Sequence, residues 1–226
     1  MSLKTTLVVA CLCVVTTVFL GCVDLLTESP EFPDFRTETR FIQADPALGS
    51  TQIMVDGSAV GTVDFQSATN YMDLPAGSRQ MQVQGDPEPV SVALESDAKV
   101  TVVVFPRPGG EGARFRAFKE RQTFASPPDT TGQVRFISAG VDTGGAGVTY
   151  DIVDASDSTV VASSLSFRSN SGYLNFPSGS HTFGVVLHDT QDILATADVT
   201  LSNGQRNTAV IFGDQTTLSF EAFLDD

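Results

Sequence analysis

An internal duplication is the feature that most constrains how this chain can fold. Residues 71–78 read Tyr-Met-Asp-Leu-Pro-Ala-Gly-Ser, and residues 173–180 read Tyr-Leu-Asn-Phe-Pro-Ser-Gly-Ser. The tyrosine, the proline, the glycine and the final serine stand at the same offsets in both copies. Proline and glycine at these positions are typical of a type I turn, so each copy predicts a hairpin, in which two strands are joined by a tight turn.

The duplication extends through most of the chain. Residues 40–44 match residues 135–139, and residues 94–105 align without a gap to residues 201–212. Between these segments residues 55–58 match residues 153–156, and other short matches occur in the same order, with insertions only between predicted strands. We therefore predict two tandem domains, residues 37–121 and 133–226, joined by a linker over residues 122–132 that contains two adjacent prolines. Each unit is large enough to bury a core without disulfides or metal.

Both units have the pattern of β-strands. In residues 79–84 the apolar Met81 and Val83 alternate with glutamines, which is the period of a strand with one buried face. Residues 100–105 are nearly all apolar, as in a central strand that is covered on both faces. Many short β-rich runs separated by turn residues indicate an all-β fold. We predict two tandem antiparallel β-sandwich domains, immunoglobulin-like or transthyretin-like. The strands of the first unit are predicted at residues 39–44, 52–55, 60–65, 70–74, 79–84, 90–94, 100–105 and 113–118.

The N-terminal segment has the pattern of a targeting signal. Lys4 precedes an uncharged, mostly apolar stretch over residues 5–20, and Gly21 and Cys22 follow it. A basic start, an apolar stretch of this length and a small residue before the cleavage point are typical of a secretory signal. The pattern resembles that of bacterial lipoproteins, which are cleaved before a lipidated cysteine. We predict a signal peptide over residues 1–21, lipidation of Cys22, and a tether over residues 22–36. An uncleaved membrane helix is the alternative, but 16 residues fall short of the membrane core.

The net charge, the cysteine content and the residue after Cys22 bear on the location of the protein and on its partners. The chain carries a net charge of −14, so nucleic acid is not an expected partner and cationic partners are favoured. After cleavage Cys22 is the only cysteine, so no disulfide or thiol chemistry is expected. Residue 23 is Val rather than the aspartate that retains lipoproteins at the inner membrane of enteric bacteria. We therefore expect an extracytoplasmic protein, anchored by lipid and more readily placed at the outer membrane than at the inner one.

Several features of the first copy match a known bacterial family: residues 40–46, residues 55–57, Phe65, Tyr71 and residues 74–77. On these features the repeat resembles the domain of unknown function numbered 4397. The resemblance covers nearly all of residues 39–226, although Ala155 stands where the first copy has Gly57. It implies a secreted or lipid-anchored envelope protein and supplies no catalytic residues.

No segment predicts a catalytic, cofactor or metal site. His181 and His188 are the only histidines, and neither has further ligands at metal spacing. His181 follows the second turn by two residues, so we interpret it as a polar residue at the mouth of the predicted hairpin. Residues 142–144, Asp-Thr-Gly, match the aspartic protease triplet, but no second copy supplies the paired aspartate. No Gly-x-Ser-x-Gly motif indicates a serine hydrolase.

Two pairs of repeated residues have both structural and functional interpretations. Asp56 and Asp154 favour turns, and calcium binding is a weaker alternative because each offers a single carboxylate. Tyr71 and Tyr173 favour core positions with the hydroxyl bound to the backbone, and an aromatic binding surface is the alternative.

These observations predict a non-enzymatic binding, adhesion or structural module of the cell envelope. Its partner would be an envelope protein or a glycan, with specificity in loops such as residues 45–51 and 141–147. Two alternatives remain. One is a hydrolase of envelope polysaccharide or peptide, which a cleft lined by converging carboxylates or a His–Asp pair would support. The other is a sensor or assembly subunit, for which a large exposed apolar patch on one domain face would be the sign.

Overall fold

Every regular element of the described chain is a β-strand. The computed structural model describes residues 34–107, 113–120 and 130–225. All eight strands predicted for the first repeat are confirmed, with ends that shift by a few residues. The strands are β1 (Arg36–Gln43), β2 (Thr51–Val55), β3 (Ser58–Val63), β4 (Met72–Pro75), β5 (Gly77–Val83), β6 (Val90–Leu94), β7 (Lys99–Pro106), β8 (Ala113–Glu120), β9 (Thr131–Ser138), β10 (Tyr150–Asp154), β11 (Val160–Leu165), β12 (Asn170–Pro177), β13 (Gly179–Leu187), β14 (Ile193–Leu201), β15 (Arg206–Phe212) and β16 (Ser219–Leu224).

The two repeats have the same topology. In the first repeat the strand orders are β4-β1-β7-β8 and β3-β2-β5-β6, and in the second they are β12-β9-β15-β16 and β11-β10-β13-β14. Adding eight to each strand number of the first repeat gives the strand orders of the second repeat. Neighbouring strands are antiparallel except β1 with β7 and β9 with β15, which are parallel. The fold is therefore all-β, with four sheets that form two sandwich-like domains, as the sequence predicts.

Each sandwich encloses a core of its own, built from the strand faces that the alternating pattern predicts. Met81 and Val83 of β5 are buried in the first core, whereas Gln80 and Gln82 between them are not buried. Phe136 of β9 and Phe183 of β13 lie in the second core, with ring centroids 5.1 Å apart. The two-residue period of each strand thus decides which side chains fill the space between its sheets.

A third core lies between the two sandwiches. The parallel strands β1, β7, β9 and β15 direct alternate apolar side chains away from their own sandwich and into a shared cluster. Sheets β4-β1-β7-β8 and β12-β9-β15-β16 are consequently covered on both faces, which explains the nearly continuous apolar sequence of β7. The buried members are Ile42, Ala44, Val103, Phe105 and Phe118 from the first repeat and Ile137, Ala139, Val210 and Phe212 from the second.

The third core has approximate two-fold symmetry. Ile42, Val103 and Phe105 of the first repeat correspond to Ile137, Val210 and Phe212 of the second, and both sets lie in the same cluster. The two sandwiches therefore use the same surface to contact each other, as in a two-fold symmetric dimer. Residues from Phe35 onward form one compact unit.

The duplicated turn is a corner between two sheets, not a hairpin. Strand β4 pairs with β1 in one sheet, whereas β5 pairs with β2 and β6 in the other. The amide of Ala76 donates to the carbonyl of Phe35 at 2.8 Å, and that of Ser178 donates to Thr130 at 3.0 Å. The prediction of a hairpin was wrong because turn residues specify a local bend and not the partner of the next strand.

Candidate functional site

A buried polar cluster lies beside the shared core, and we call it the interface cluster. Arg40 of β1 lies opposite Thr101 of β7, and Arg135 of β9 lies opposite Thr208 of β15 in the same register. Arg40 and Arg135 are 2% and 1% exposed, which is rare for a charged side chain without partners. The interface cluster comprises Arg40, Tyr71, Thr101 and Glu120 from the first repeat and the corresponding Arg135, Tyr173, Thr208 and Asp225 from the second.

The charges of the interface cluster pair across the two repeats. Arg40 donates to the carboxylate of Asp225 and, at 2.6 Å, to the carbonyl of Leu224. In the other direction Arg135 places Nη2 3.9 Å from Oε1 of Glu120 and donates to the carbonyls of Phe118 and Lys119. Each arginine thus neutralises a carboxylate of the other sandwich. These exchanged pairs, together with the third core, join the two domains.

The two repeated tyrosines connect the cluster to the surface. Tyr71 donates its hydroxyl to Glu120, and Tyr173 donates to Oδ2 of Asp225 at 2.6 Å. Arg40 and Lys99 lie 5.0 and 4.9 Å from the centroid of the Tyr71 ring, as is typical of cation–π contacts. Both tyrosines are half-buried. The prediction that their hydroxyls bind the backbone was wrong, because buried carboxylates accept these hydrogen bonds.

Burial raises the pKa values of three members of the cluster, Glu120, Tyr71 and Tyr173. The pKa of Glu120 is raised by burial and, secondarily, by the charge of Asp225, while the Tyr71 hydroxyl and the two arginines oppose this shift. Burial also raises the pKa values of Tyr71 and Tyr173 far above the ordinary value for a phenol. Both phenols therefore stay protonated and act as hydrogen-bond donors at physiological pH.

A polar cleft opens beside the interface cluster, with a cavity volume of about 750 Å³. It lies at the start of β1 and β7, whereas the loop over residues 45–51 follows the far end of β1, so the specificity loops predicted from sequence do not line it. Glu120 and Asp225 of the cluster contribute to its lining. The other lining residues are Arg36, Thr37, Glu38, Asp73, Asp97, Ala98, Lys99 and Arg206.

The rim of this cleft differs between the two repeats. Glu38 lies directly opposite Asp73 on β1 and β4, which puts two like charges face to face. The corresponding pair in the second repeat is Gln133 and Asn175, whose side-chain amides form a hydrogen bond of 2.8 Å. Opposed like charges destabilise a sheet, so the acidic pair is not what the fold itself favours. Salt bridges with Arg36 (3.0 Å to Asp73) and Lys99 (3.7 Å to Glu38) reduce this repulsion, but both acids remain exposed.

A second group of polar residues lies in the second repeat. Nδ1 of His188 is 3.0 Å from both carboxylate oxygens of Asp151, and Nε2 of the same ring is 3.5 Å from Oγ of Ser164. The hydrogen bond to Asp151 is the main cause that raises the pKa of His188 above its ordinary value. The sequence indicated neither partner, since Asp151 and Ser164 are 37 and 24 residues away from His188.

The aspartates singled out in the sequence have structural roles. Asp142 accepts hydrogen bonds from the amides of Gly144 and Ala146, which fixes its own loop. Asp56 binds the amide of Gln80 and the guanidinium of Arg79, whereas Asp154 binds Ser156 in its own turn. In the described residues no group of three or more His, Cys, Asp or Glu side chains could hold a metal ion.

Asp56 and Asp154 are also not equivalent positions. Val55 pairs with Met81, and Asp154 pairs with Phe183, which stand at the same offset from the corner glycine. The proposed match of residues 55–58 to 153–156 is therefore wrong by one residue. The sequence similarity there is a coincidence of turn-forming residues.

His181 has a structural role beside the second corner. Its Nε2–H donates to the carbonyl of Pro177 at 2.7 Å, and its ring stacks on Phe183 with centroids 5.8 Å apart. This agrees with the prediction of a polar residue next to the turn. Cys22, the predicted signal and tether up to residue 33, and linker residues 122–129 lie outside the described residues. None of the segments that the structure describes is a helix long and apolar enough to cross a membrane.

One known protein family matches the chain in two segments. The domain of unknown function DUF4397 matches residues 37–149 and again residues 132–226. The chain belongs to the DUF4397 family. The first match covers the first sandwich and extends past β9, and the second match covers the second sandwich. The two matches confirm that the chain carries two copies of the DUF4397 domain. No similar protein was found among functionally curated sequences.

Proposed function

We propose that this DUF4397 protein is a lipid-anchored component of the bacterial cell envelope that binds a partner through the cleft between its domains. The partner is a protein or glycan that presents an amine. The observation that carries the proposal is the opposed pair Glu38 and Asp73, which repeat 2 replaces with the neutral pair Gln133 and Asn175. An amine bound between the two carboxylates would relieve their repulsion and form charge-assisted hydrogen bonds.

The wider electrostatics support a cationic partner. The chain has 27 acidic and 13 basic residues, so its field attracts cations over distances limited by ionic strength. Asp97 adds a third exposed carboxylate to the cleft at a position where the second repeat has Gly204. The acidic side of the cleft is therefore specific to the first repeat.

The position of the cleft also suits an anchored receptor. Arg36 is both the first residue of β1 and a lining residue of the cleft. The predicted lipid attachment at Cys22 lies 14 residues before it, so the connecting chain reaches at most about 50 Å. Ligands of the cleft would thus be held close to the membrane surface.

The anchor is tested by fractionating cells that express the full chain or its Cys22→Ala variant. The expected result is that the wild-type protein is found in membranes, while the variant is released or keeps its signal peptide. If the Cys22→Ala protein stays in the membrane fraction although its signal peptide has been cleaved, the prediction of a lipid anchor is wrong. Separation of inner and outer membranes from the wild-type cells tests the outer-membrane location.

The cleft is tested by exchanging its acidic pair for the residues of the second repeat. Immobilised wild-type protein and the variant Glu38→Gln/Asp73→Asn are compared for capture of envelope proteins and amine-bearing glycans at several salt concentrations. We expect the variant to lose about tenfold or more in affinity, as when a charge-assisted contact is removed. The reciprocal variant Gln133→Glu/Asn175→Asp changes the net charge by the same amount in the opposite direction, at positions outside the cleft rim, and should bind like wild type. If Glu38→Gln/Asp73→Asn binds as tightly as wild type, the acidic pair is not the recognition site.

A further inference from the structure

Ser164 occupies an unusual backbone position on the edge of the second sandwich. Tyr150 pairs with Leu165 and Ile152 pairs with Ala162, so two serines at 163 and 164 lie opposite the single residue Asp151. This is a β-bulge, a device that redirects one side chain of a strand. Ser164 has φ +53°, a value that is uncommon for residues with a side chain. The amide of Ser164 donates to Oδ1 of Asp151 at 2.6 Å, and this bond holds the serine in place.

The first repeat builds the corresponding hairpin without this arrangement. There Thr51, Gln52 and Ile53 pair in regular succession with Val63, Thr62 and Gly61. Gln52 thus takes the place of Asp151. Both β5 and β13 begin at the corner glycine, but β5 has seven residues and β13 has nine. Strand β5 therefore ends before it reaches the position that corresponds to the residue preceding His188. The fold therefore does not require the Asp–His–Ser arrangement, which is an addition in the second repeat.

The three side chains have the relationship of a nucleophile, a base and an orienting acid. Asp151 is buried at 9% exposure and accepts the Nδ1 proton of His188, which leaves Nε2 as the acceptor. Nε2 faces the hydroxyl of Ser164 at 3.5 Å, a distance that is long for a hydrogen bond but common before substrate binds. Ser164 is exposed, and the His188 side chain is 38% exposed, so both can be reached from solvent.

We propose that Ser164 is the nucleophile of an acyl-transfer site in which His188 is the general base and Asp151 is the positioning residue. The hydroxyl oxygen of Ser164 attacks the carbonyl carbon of an ester while Nε2 of His188 takes its proton. The C–O bond to the leaving alcohol then breaks, and His188 returns the proton to that alcohol. Water attacks the acyl-serine by the same route and releases the carboxylic acid, so the net reaction is ester hydrolysis.

The surroundings restrict the substrate to small or flexible esters. The nucleophile lies on an exposed bulge, so recognition of a large apolar acyl group has no basis here. Short acyl esters, such as acetyl groups on sugar hydroxyls, can approach an open site of this kind. This activity is separate from binding in the cleft, which lies at the interface between the two sandwiches, and either site can be lost without the other.

The proposal is tested on the full chain with p-nitrophenyl acetate and with a fluorophosphonate probe, followed by peptide mapping. We expect wild-type protein to hydrolyse the ester and to be labelled on the peptide that contains Ser164. Ser164→Ala should abolish labelling and reduce hydrolysis by about 100-fold or more. The matched control is Ser163→Ala, which removes the neighbouring exposed hydroxyl and should behave like wild type. Wild-type protein that is not labelled, or Ser164→Ala protein that is labelled equally, overturns the proposal.

Two further variants separate chemistry from folding. Ser164→Gly removes the hydroxyl and readily adopts the positive φ, so it provides an inactive protein even if the alanine variant misfolds. Asp151→Asn keeps the shape of the side chain but weakens its hold on the His188 proton. The reaction needs neutral His188, so the rate should rise with pH, and its midpoint should lie above the ordinary histidine value of about 6.5. In Asp151→Asn the midpoint should fall. Asp189 also faces the ring, with Oδ1 3.7 Å from Nε2 of His188, and its charge raises the same pKa in both proteins. A midpoint that stays unchanged in Asp151→Asn would mean that Asp151 has no role in positioning the base.

Discussion

The interface cluster shows how a single buried charge depends on its partner. Removing Arg40 leaves Asp225 buried without a cation, and the carboxylate side chain has 0% exposure. Loss of one partner from a buried ion pair costs about 3–5 kcal/mol. We therefore expect Arg40→Ala to lower the free energy of unfolding by about that amount, measured by urea denaturation at pH 7.

The control for this prediction is Arg36→Ala in the same strand. Arg36 and Asp73 form a salt bridge of 3.0 Å, but their side chains are 42% and 61% exposed. Exposed pairs contribute about 0–1 kcal/mol, so this variant should unfold almost like wild type. If both variants lose similar stability, burial is not what makes the Arg40 pair important.

At this scale the sequence revealed which residues recur but not what they contact. The matching segments that begin at Arg40 and Arg135 were visible as a repeat, and so were Tyr71 and Tyr173. Glu120 ends β8 and Asp225 directly follows β16. Each tyrosine binds the carboxylate of its own repeat, whereas each arginine pairs with the carboxylate of the other repeat. No local pattern encodes such pairing, because it depends on how two finished sandwiches pack.

At the scale of elements, the corner between sheets requires glycine. Gly179 begins β13 with φ +138°, and Gly77 begins β5 with φ +99°. A residue with a side chain is strained at these angles even where space is open, as it is around Gly179. We expect Gly179→Ala to lower the free energy of unfolding by more than about 1 kcal/mol. Thermal and urea unfolding of the two proteins provide the measurement.

Gly61 of β3 is the matched control for the corner. It has no positive φ, and an added Cβ would meet the side chains of Met72 and Thr69 at ordinary distances of 3.7 and 3.9 Å. Gly61→Ala should therefore be neutral or stabilise the protein by up to about 1 kcal/mol. A loss of stability as large as that of Gly179→Ala would mean that the backbone angle is not the cause.

Strand existence could be predicted from sequence, but strand pairing could not. Alternation in residues 79–84 and the apolar run at residues 100–105 placed β5 and β7 correctly, since burial imposes these periods directly. Whether β4 pairs with β5 or with β1 depends on contacts between distant residues. The bulge at Ser164 escaped prediction for the same reason, because two serines in a strand give no local sign of a shifted register.

At the scale of the molecule, the third core decides how the protein unfolds. Unfolding one sandwich alone would expose the shared face of the other, including Phe105 or Phe212. Each large apolar side chain contributes about 1.5–3 kcal/mol when fully buried. The buried members other than Ala44 and Ala139 are all large, so together they represent a coupling comparable to the stability of a whole domain. An intermediate with one folded sandwich should therefore be too unstable to accumulate.

Differential scanning calorimetry of the protein tests this coupling between the two sandwiches. We expect a single transition for wild type, with a calorimetric enthalpy equal to the van't Hoff enthalpy. Val103→Asp places an unpaired charge in the third core, at a fully buried position that faces away from the first core. This change should destabilise the contact between the sandwiches more than it destabilises either sandwich. The two sandwiches should then unfold in two separate transitions. Two transitions in the wild-type protein would show that the sandwiches fold independently and that their shared face adds little to stability.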